Sequence, residues 1–187
     1  MTTAKSTTTA KWSVEDYHRL IETGLLDDRP VELLNGEIIE MTPEREPHAN
    51  SASEAGDYLR ELLGGLAKVR EGHPITIPSS NSEPEPDLAI VRKRTEGYRD
   101  RHPYPADIFW LIEFSHSSLG KDLSPKAKAY AAAGIAEYWV VNLKALKLVV
   151  MRDPAEDGYR SQIAWTENTI NPLAFPDLSV SVRRLIS

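Results

Sequence analysis

Ile108-Phe109-Trp110-Leu111-Ile112-Glu113-Phe114 is the stretch on which the reading of this chain turns. It is apolar apart from Glu113, and it is too short for a helix of ordinary length. Such a run reads as a strand buried on both faces, in the middle of a sheet. The exception is as informative as the rule. A buried, unpaired carboxylate costs several kcal/mol or neutralises by a raised pKa. Glu113 therefore requires a cation or hydrogen-bond donors nearby.

Downstream, Ser124-Pro125 reads as the start of an alanine-rich helix, with serine as N-cap and proline at the first helical position. Gly134 closes it. Residues 137–141, Glu-Tyr-Trp-Val-Val, form a second buried strand. Strand, helix, strand at this spacing is a crossover, so the two strands are expected to be parallel. A strand at 147–151 follows through a short turn, and residues after Asp153 read as peripheral.

Upstream, Pro84-Glu85-Pro86 leads into the strand 87–91, with the prolines tolerated at a strand start. The polar, basic stretch 92–102 is expected to be a surface loop. Residues 67–70 and 75–77 read as strands around the turn Glu71-Gly72-His73-Pro74. A long helix over about 48–63 buries Ala55, Tyr58, Leu59, Leu62 and Leu63 and stops at Gly64-Gly65. Val31-Glu32-Leu33-Leu34-Asn35-Gly36-Glu37-Ile38-Ile39 carries Asn-Gly between apolar runs, a strong hairpin signal. Ser13 and Asp16 form a capping pair that opens a first helix. The architecture expected is α/β (α+β), a central mixed sheet flanked by helices, with one domain over 12–187.

Composition bounds the function classes. The chain has 187 residues, 41% hydrophobic and 27% charged, which suits an ordinary globular domain. It has no cysteine, so disulfides, thiolate zinc sites and cysteine nucleophiles are excluded. No apolar run approaches the roughly 20 residues that span a bilayer, and residues 1–11 are polar and threonine-rich, read as a disordered tail. A cytoplasmic protein is expected. The net charge of −6 argues against coating nucleic acid by bulk electrostatics, though not against a local basic surface.

Asp87 resembles Glu113: a carboxylate at the start of a strand, just after Pro86. Two neighbouring carboxylates repel, and a divalent cation reverses that logic. Hard oxygen ligands select Mg²⁺ or Mn²⁺. Lys126, placed in a first helical turn, would oppose the helix dipole unless an anion compensates, with Asp122 or the Asp87/Glu113 pair available. Arg92, Lys93, Arg94, Arg99 and Arg101 form the densest basic stretch and leave the Asp87 strand, so phosphate contact is a candidate role beside that of a plain surface loop. His48 and His116 are candidates for a phosphate or a metal's outer shell; cap or surface roles compete. Tyr138 and Trp139 read as core; Tyr130, one turn beyond Lys126, is a candidate to face the site, with a core role competing.

Pro86-Asp87, then Ile112-Glu113-Phe114-Ser115-His116-Ser117-Ser118-Leu119, then Asp122, Lys126 and Tyr130, resemble the signature of the Uma2 (DUF820) family. Gly134-Ile135-Ala136-Glu137-Tyr138-Trp139-Val140-Val141-Asn142 and the hairpin around Asn35-Gly36 extend the resemblance from about residue 14 to the C-terminus. It implies a restriction-endonuclease-like fold of the PD-(D/E)XK nuclease superfamily. It further implies Asp87 and Glu113 as Mg²⁺ (or Mn²⁺) ligands, Glu32 as a third with Glu37 behind it, and His48 at the family's histidine position. The lysine expected two residues after Glu113 is replaced by Ser115, and Lys126 on the next helix takes its role. The function implied is hydrolysis of DNA phosphodiester bonds, with Arg92, Arg94, Arg99 and His48 toward the nucleic acid. Two alternatives stand beside it: an inert module of the same fold that binds nucleic acid or a protein partner, and a nuclease acting on RNA or branched DNA. A homodimer is expected and no membrane association.

Overall fold

Residues 9–41, 43, 46–116 and 119–187 are described by the computed structural model, without the Lys121 side chain. The elements in chain order are α1 (Val14–Glu22), β1 (Val31–Leu34), β2 (Glu37–Glu40), α2 (Glu46–Leu63), β3 (Lys68–Glu71), β4 (Leu88–Val91) and β5 (Ile108–Ser115). Then follow α3 (Leu119–Lys121), a π-helical turn (Asp122–Lys126), α4 (Ala127–Ala132), β6 (Glu137–Asn142), β7 (Lys147–Ala155) and β8 (Gly158–Trp165). The chain closes with β9 (Thr169–Ile170), β10 (Val180–Ser181) and α5 (Arg183–Ile186). Of the tail read over 1–11, residues 1–8 lie outside the described residues. Lys11 pairs with Glu37 at 2.6 Å, and the Trp12 amide donates to the Gly36 carbonyl.

A six-stranded sheet in the order β3-β4-β5-β6-β7-β8 forms the centre, with β1-β2 and β9-β10 as separate two-stranded pairs. β5 and β6 are parallel, joined by the crossover through α4, and the other pairs of the large sheet are antiparallel. The sheet is therefore mixed, and β5 is interior, as its apolar run requires. Period-two alternation splits the strands between two cores. Leu88, Ile90, Trp110, Ile112, Phe114, Trp139 and Val141 pack under α2 and α5 with Ala55, Leu59 and Leu185. Ala89, Val91, Leu111, Tyr138 and Val140 pack under α4 with Ala127 and Tyr130.

Ser13 caps α1 with Asp16 in a reciprocal capping box, and Asn35 and Gly36 both take positive φ in the β1-β2 turn. α2 begins at Glu46, with Pro47 in its first turn, where the missing N–H is harmless. Among the described residues, no helix is long and apolar enough to cross a membrane.

Three expectations are corrected. Ser124-Pro125 does not start a helix; it lies within the π-turn of a segment already helical from Leu119. Proline inside a helix removes an N–H and crowds the carbonyl four residues back. The widened turn accommodates both effects. Lys126 is thus not at a helix N-terminus, and the dipole argument does not apply to it. Residues 75–77 are buried but belong to no sheet: Ile75 donates to the Pro84 carbonyl, Thr76 to that of Pro103, and Ile77 bridges Ser82. Pro74 and Pro78 on either side cannot donate to a ladder. Residues after Asp153 are not peripheral. β8 completes the sheet, and Ile170, Val180, Val182, Leu185 and Ile186 close the core under α5. Their apolar positions are too scattered to form a periodic run.

Ile112→Ala should lower stability by about 2–5 kcal/mol, because it removes a fully buried side chain between two layers. Ile163→Ala, on the exposed face of edge strand β8, should stay within about 0.5 kcal/mol. Urea denaturation of the two variants measures the difference.

Candidate active site

Antiparallel pairing fixes the first two carboxylates. Leu88 is opposite Ile112 in the β4-β5 register, so one further step puts Asp87 opposite Glu113, on the same face of the sheet. Asp87 sits just before β4, where the ladder has not closed. Its Oδ2 accepts the Phe114 amide at 2.6 Å and lies 3.1 Å from His48 Nε2. His48, near the start of α2, also stands edge-on to the Phe114 ring at 6.4 Å.

Glu113 Oε1 accepts from Lys126 Nζ at 2.7 Å and from the Tyr130 hydroxyl at 3.2 Å. Lys126 and Tyr130 are four residues apart and share a helix face, so both reach one oxygen. The ammonium also lies 3.4 Å from Glu32 Oε2, which accepts the Glu85 amide at 3.2 Å. Five elements thus meet here: β1, α2, the β4 start, β5 and the helix after it. Ser115, two residues after Glu113, donates to the Asp122 carboxylate.

Burial sets the electrostatics. It pushes the Glu113 carboxyl well above the usual carboxylate range; Lys126 offsets part of the rise, and the Asp87 and Asp122 charges add to it. Burial alone would lower Lys126, but the charges of Glu113 and Glu32 outweigh it and hold the ammonium protonated above a free lysine. Burial, then the Glu32 charge, raises Glu85. Burial and the charges of Glu85, Glu83 and Glu32 push Tyr17 up to about 12. The region is anionic, with Lys126 as the buried cation at its centre.

The remaining sequence candidates lie elsewhere. Arg92, Arg94 and Arg99 follow Val91, which pairs with Ile108, the end of β5 far from Glu113. Arg92 stacks on the Phe109 ring at 4.9 Å, Arg94 pairs with Asp100 at 3.1 Å, and Arg99 lines a recess beside α1. Glu37 is exposed and paired with Lys11. His116 is exposed at the end of β5, and Ser117 and Ser118 lie outside the described residues.

Sequence reasoning missed Glu83 and Glu85; of the two roles it offered Tyr130, core and site-facing, the structure shows both, a buried ring whose hydroxyl reaches Glu113. Glu83 is buried, accepts from Thr76 Oγ1 at 2.7 Å and lies 2.8 Å from His18 Nε2. The available signal was the alternation Glu83-Pro84-Glu85-Pro86, which holds two acids in a stiff segment directly before Asp87.

Among the described residues, no group of three acidic or histidine side chains is disposed to hold a metal ion. Two carboxylates suffice for Mg²⁺, which keeps waters and takes substrate phosphates as further ligands. Hydrogen bonds and the His48 contact use one oxygen of each. Asp87 Oδ1 and Glu113 Oε2 accept no hydrogen bond among the described residues. This donor set fits a hard cation held by Asp87 and Glu113, with Glu32 retained by Lys126.

Lys126→Met should cost about 3–5 kcal/mol in metal-free buffer at neutral pH, because Glu113 and Glu32 lose their buried cation. The folded-state pKa of Glu113 then rises further above its unfolded value. Folding takes up protons, so the variant should regain stability as pH falls from 7 toward the unfolded carboxylate range and lose it as pH rises through the folded pKa. Urea titrations across that window check the sign; a deficit that widens on acidification would contradict it.

A crystal structure from Anabaena variabilis ATCC 29413, described as a "putative nuclease belonging to DUF820", superposes with a TM-score of 0.71 over 93% of this chain and 97% of that one, at 16% identity. That likeness concerns the fold. No curated protein sequence matches significantly. The Uma2 family model, described as "Putative restriction endonuclease", matches residues 14–183. With the match spanning nearly the whole chain, from α1 to α5, this protein belongs to the Uma2 family.

Proposed function

We propose that the protein is a divalent-metal-dependent endonuclease that hydrolyses DNA phosphodiester bonds at the Asp87/Glu113 site. The observation that carries this reading is a strand-buried glutamate, Glu113, opposite Asp87 and 2.7 Å from the ammonium of Lys126. Membership of a family described as "Putative restriction endonuclease" supports it.

Each residue has a task. The Phe114 amide and His48 orient Asp87 through Oδ2, so that Oδ1 would be available to hold the cation. Lys126 and Tyr130 hold Glu113 by Oε1, leaving Oε2. Mg²⁺ or Mn²⁺, when bound, supplies Lewis acidity toward a phosphoryl oxygen and acidifies a water. Lys126 keeps its proton and offers a fixed positive charge where negative charge develops at the phosphorus centre. Glu32, tied to Lys126 and to the Glu85 amide, fixes the ammonium and stands as an outer carboxylate. β5, β6 and the helix after β5 exclude water from one side of the cluster.

A second reading is favoured by a specific feature: Lys126 already satisfies two carboxylates, and no three-ligand group exists among the described residues. In that reading the cluster is structural, and the protein is an inert module that binds nucleic acid or a protein partner.

Purified protein incubated with supercoiled plasmid and with single-stranded DNA, plus Mg²⁺ or Mn²⁺, separates the two. The nuclease should nick or cut, and Asp87→Asn, a near-isosteric change at a half-buried position, should reduce cleavage at least about 100-fold with the metal-free melting temperature preserved. Wild-type protein that leaves every substrate intact yet shifts a DNA probe in a salt-dependent manner would establish the inert module instead.

A further inference from the structure

A recess of about 660 Å³ lies beside α1, away from the carboxylate cluster, and its wall combines arginine, histidine and tyrosine side chains. Its size is that of a small-ligand site. The wall carries two acids, Glu15 and Asp100, and two arginines, Arg99 and Arg101, but the ion pairing leaves Arg99 unmatched. Asp100 is neutralised by Arg94 at 3.1 Å, Glu15 by Arg19, and Arg101 by Asp107 at 2.6 Å. Arg99 is exposed on the wall and makes no ion pair among the described residues. Arg70 does not line the recess, but its guanidinium lies 5.4 Å from the centre of the Tyr98 ring, which does. Arg70 is only partly exposed and has no carboxylate partner among the described residues, and its buried Nε makes no hydrogen bond there. A partly buried, unpaired guanidinium is costly to maintain, and its charge adds to the positive potential at the Tyr98 side of the recess.

The same wall carries flat surfaces. Tyr98 has three guanidinium groups around it, those of Arg70, Arg94 and Arg101, within 6.0 Å of its centre. Tyr104 is exposed and stacks with Arg101 at 4.2 Å. Arginine planes and tyrosine rings are the surfaces on which unpaired bases stack. His18 and His102 line this recess and also a smaller one of about 310 Å³ that contains Glu83 and Glu85. Since the Glu85 amide holds Glu32, the wall continues from the recess to the carboxylate cluster.

We infer that this recess is a subsite for an unpaired nucleotide of the substrate, its phosphate toward Arg99 and its base against Tyr104. The inference rests on the nuclease reading for its connection to the carboxylates, and it narrows the substrate class. A base held here is out of the duplex stack, so the preferred nucleic acid is single-stranded or locally unpaired.

The test is fluorescence anisotropy of the full chain, in EDTA so that no cleavage occurs, with a labelled single strand and a blunt duplex of equal length. Wild type should bind the single strand about tenfold more tightly than the duplex. The double variant Arg99→Ala/Tyr104→Ala, both positions exposed, should lose about tenfold or more toward the single strand, because it removes a charge and a stacking platform. Arg160→Ala, an exposed arginine on β8, removes the same charge elsewhere and should bind as wild type. Preference for the duplex, absence of binding, an unchanged double variant, or an equal loss in Arg160→Ala would each overturn the subsite. The two readings fail separately. A cleaving protein with an unaffected double variant defeats the subsite alone. A protein that passes this test but cuts nothing defeats the nuclease alone.

Discussion

The contact between Glu113 and Lys126 constrains everything around it. β5 must be apolar to occupy the middle of the sheet, and a carboxylate in that position is tolerable only with a cation against it. The ammonium reaches it from the helix on the face opposite α2, with Tyr130 one turn later supplying a second donor to the same oxygen. Pro125, immediately before the lysine, widens the helix into a π-turn. Such turns recur where a helix must aim a side chain at a functional position. A stretch that costs backbone regularity is thus the stretch that delivers the charge.

One lysine serves two carboxylates, and the balance has consequences. Glu32 arrives from a hairpin outside the main sheet, fastened by backbone bonds from Glu83 to Leu33 and from Gly36 to Asn81. The hairpin is therefore coupled to the sheet through the polar cluster as well as through its apolar face. Among the described residues no lysine pairs with Asp87; its anchors are a backbone amide and a histidine. Its side chain is more exposed than that of Glu113, so it borders a more accessible edge of the cluster. A site with surplus negative charge, incompletely neutralised and partly open, is suited to recruiting a cation from solvent.

Much of this was legible in the sequence because the underlying forces are local. Glu113 stood out against its apolar neighbours, Asn35-Gly36 announced its turn by backbone conformation, and Ser13-Asp16 announced a cap. Asp87, Lys126, Glu32 and His48 followed from the order of motifs, and the fold brings their side chains into one cluster. What was not legible depended on tertiary context. Ser124-Pro125 has the composition of a helix start, and only the preceding helical turn makes it an interior distortion. Ile75 and Ile77 are apolar because they are buried, not because they pair. β8 is amphipathic and largely exposed, so its membership of the sheet rests on β7 rather than on its own pattern. Arg92, Arg94 and Arg99 are close in sequence to Asp87, but the chain direction of β4 carries them to the opposite end of the strand.

The central claim is that Asp87 and Glu113 form a binding site for a divalent cation. Calorimetric titration of Mn²⁺ into the metal-free protein tests it most directly, without dependence on substrate. Wild type should give a saturable heat of binding that disappears in Asp87→Asn and in Glu113→Gln, both folded by circular dichroism. No heat from the folded wild type, or the same isotherm in Asp87→Asn, would contradict the account.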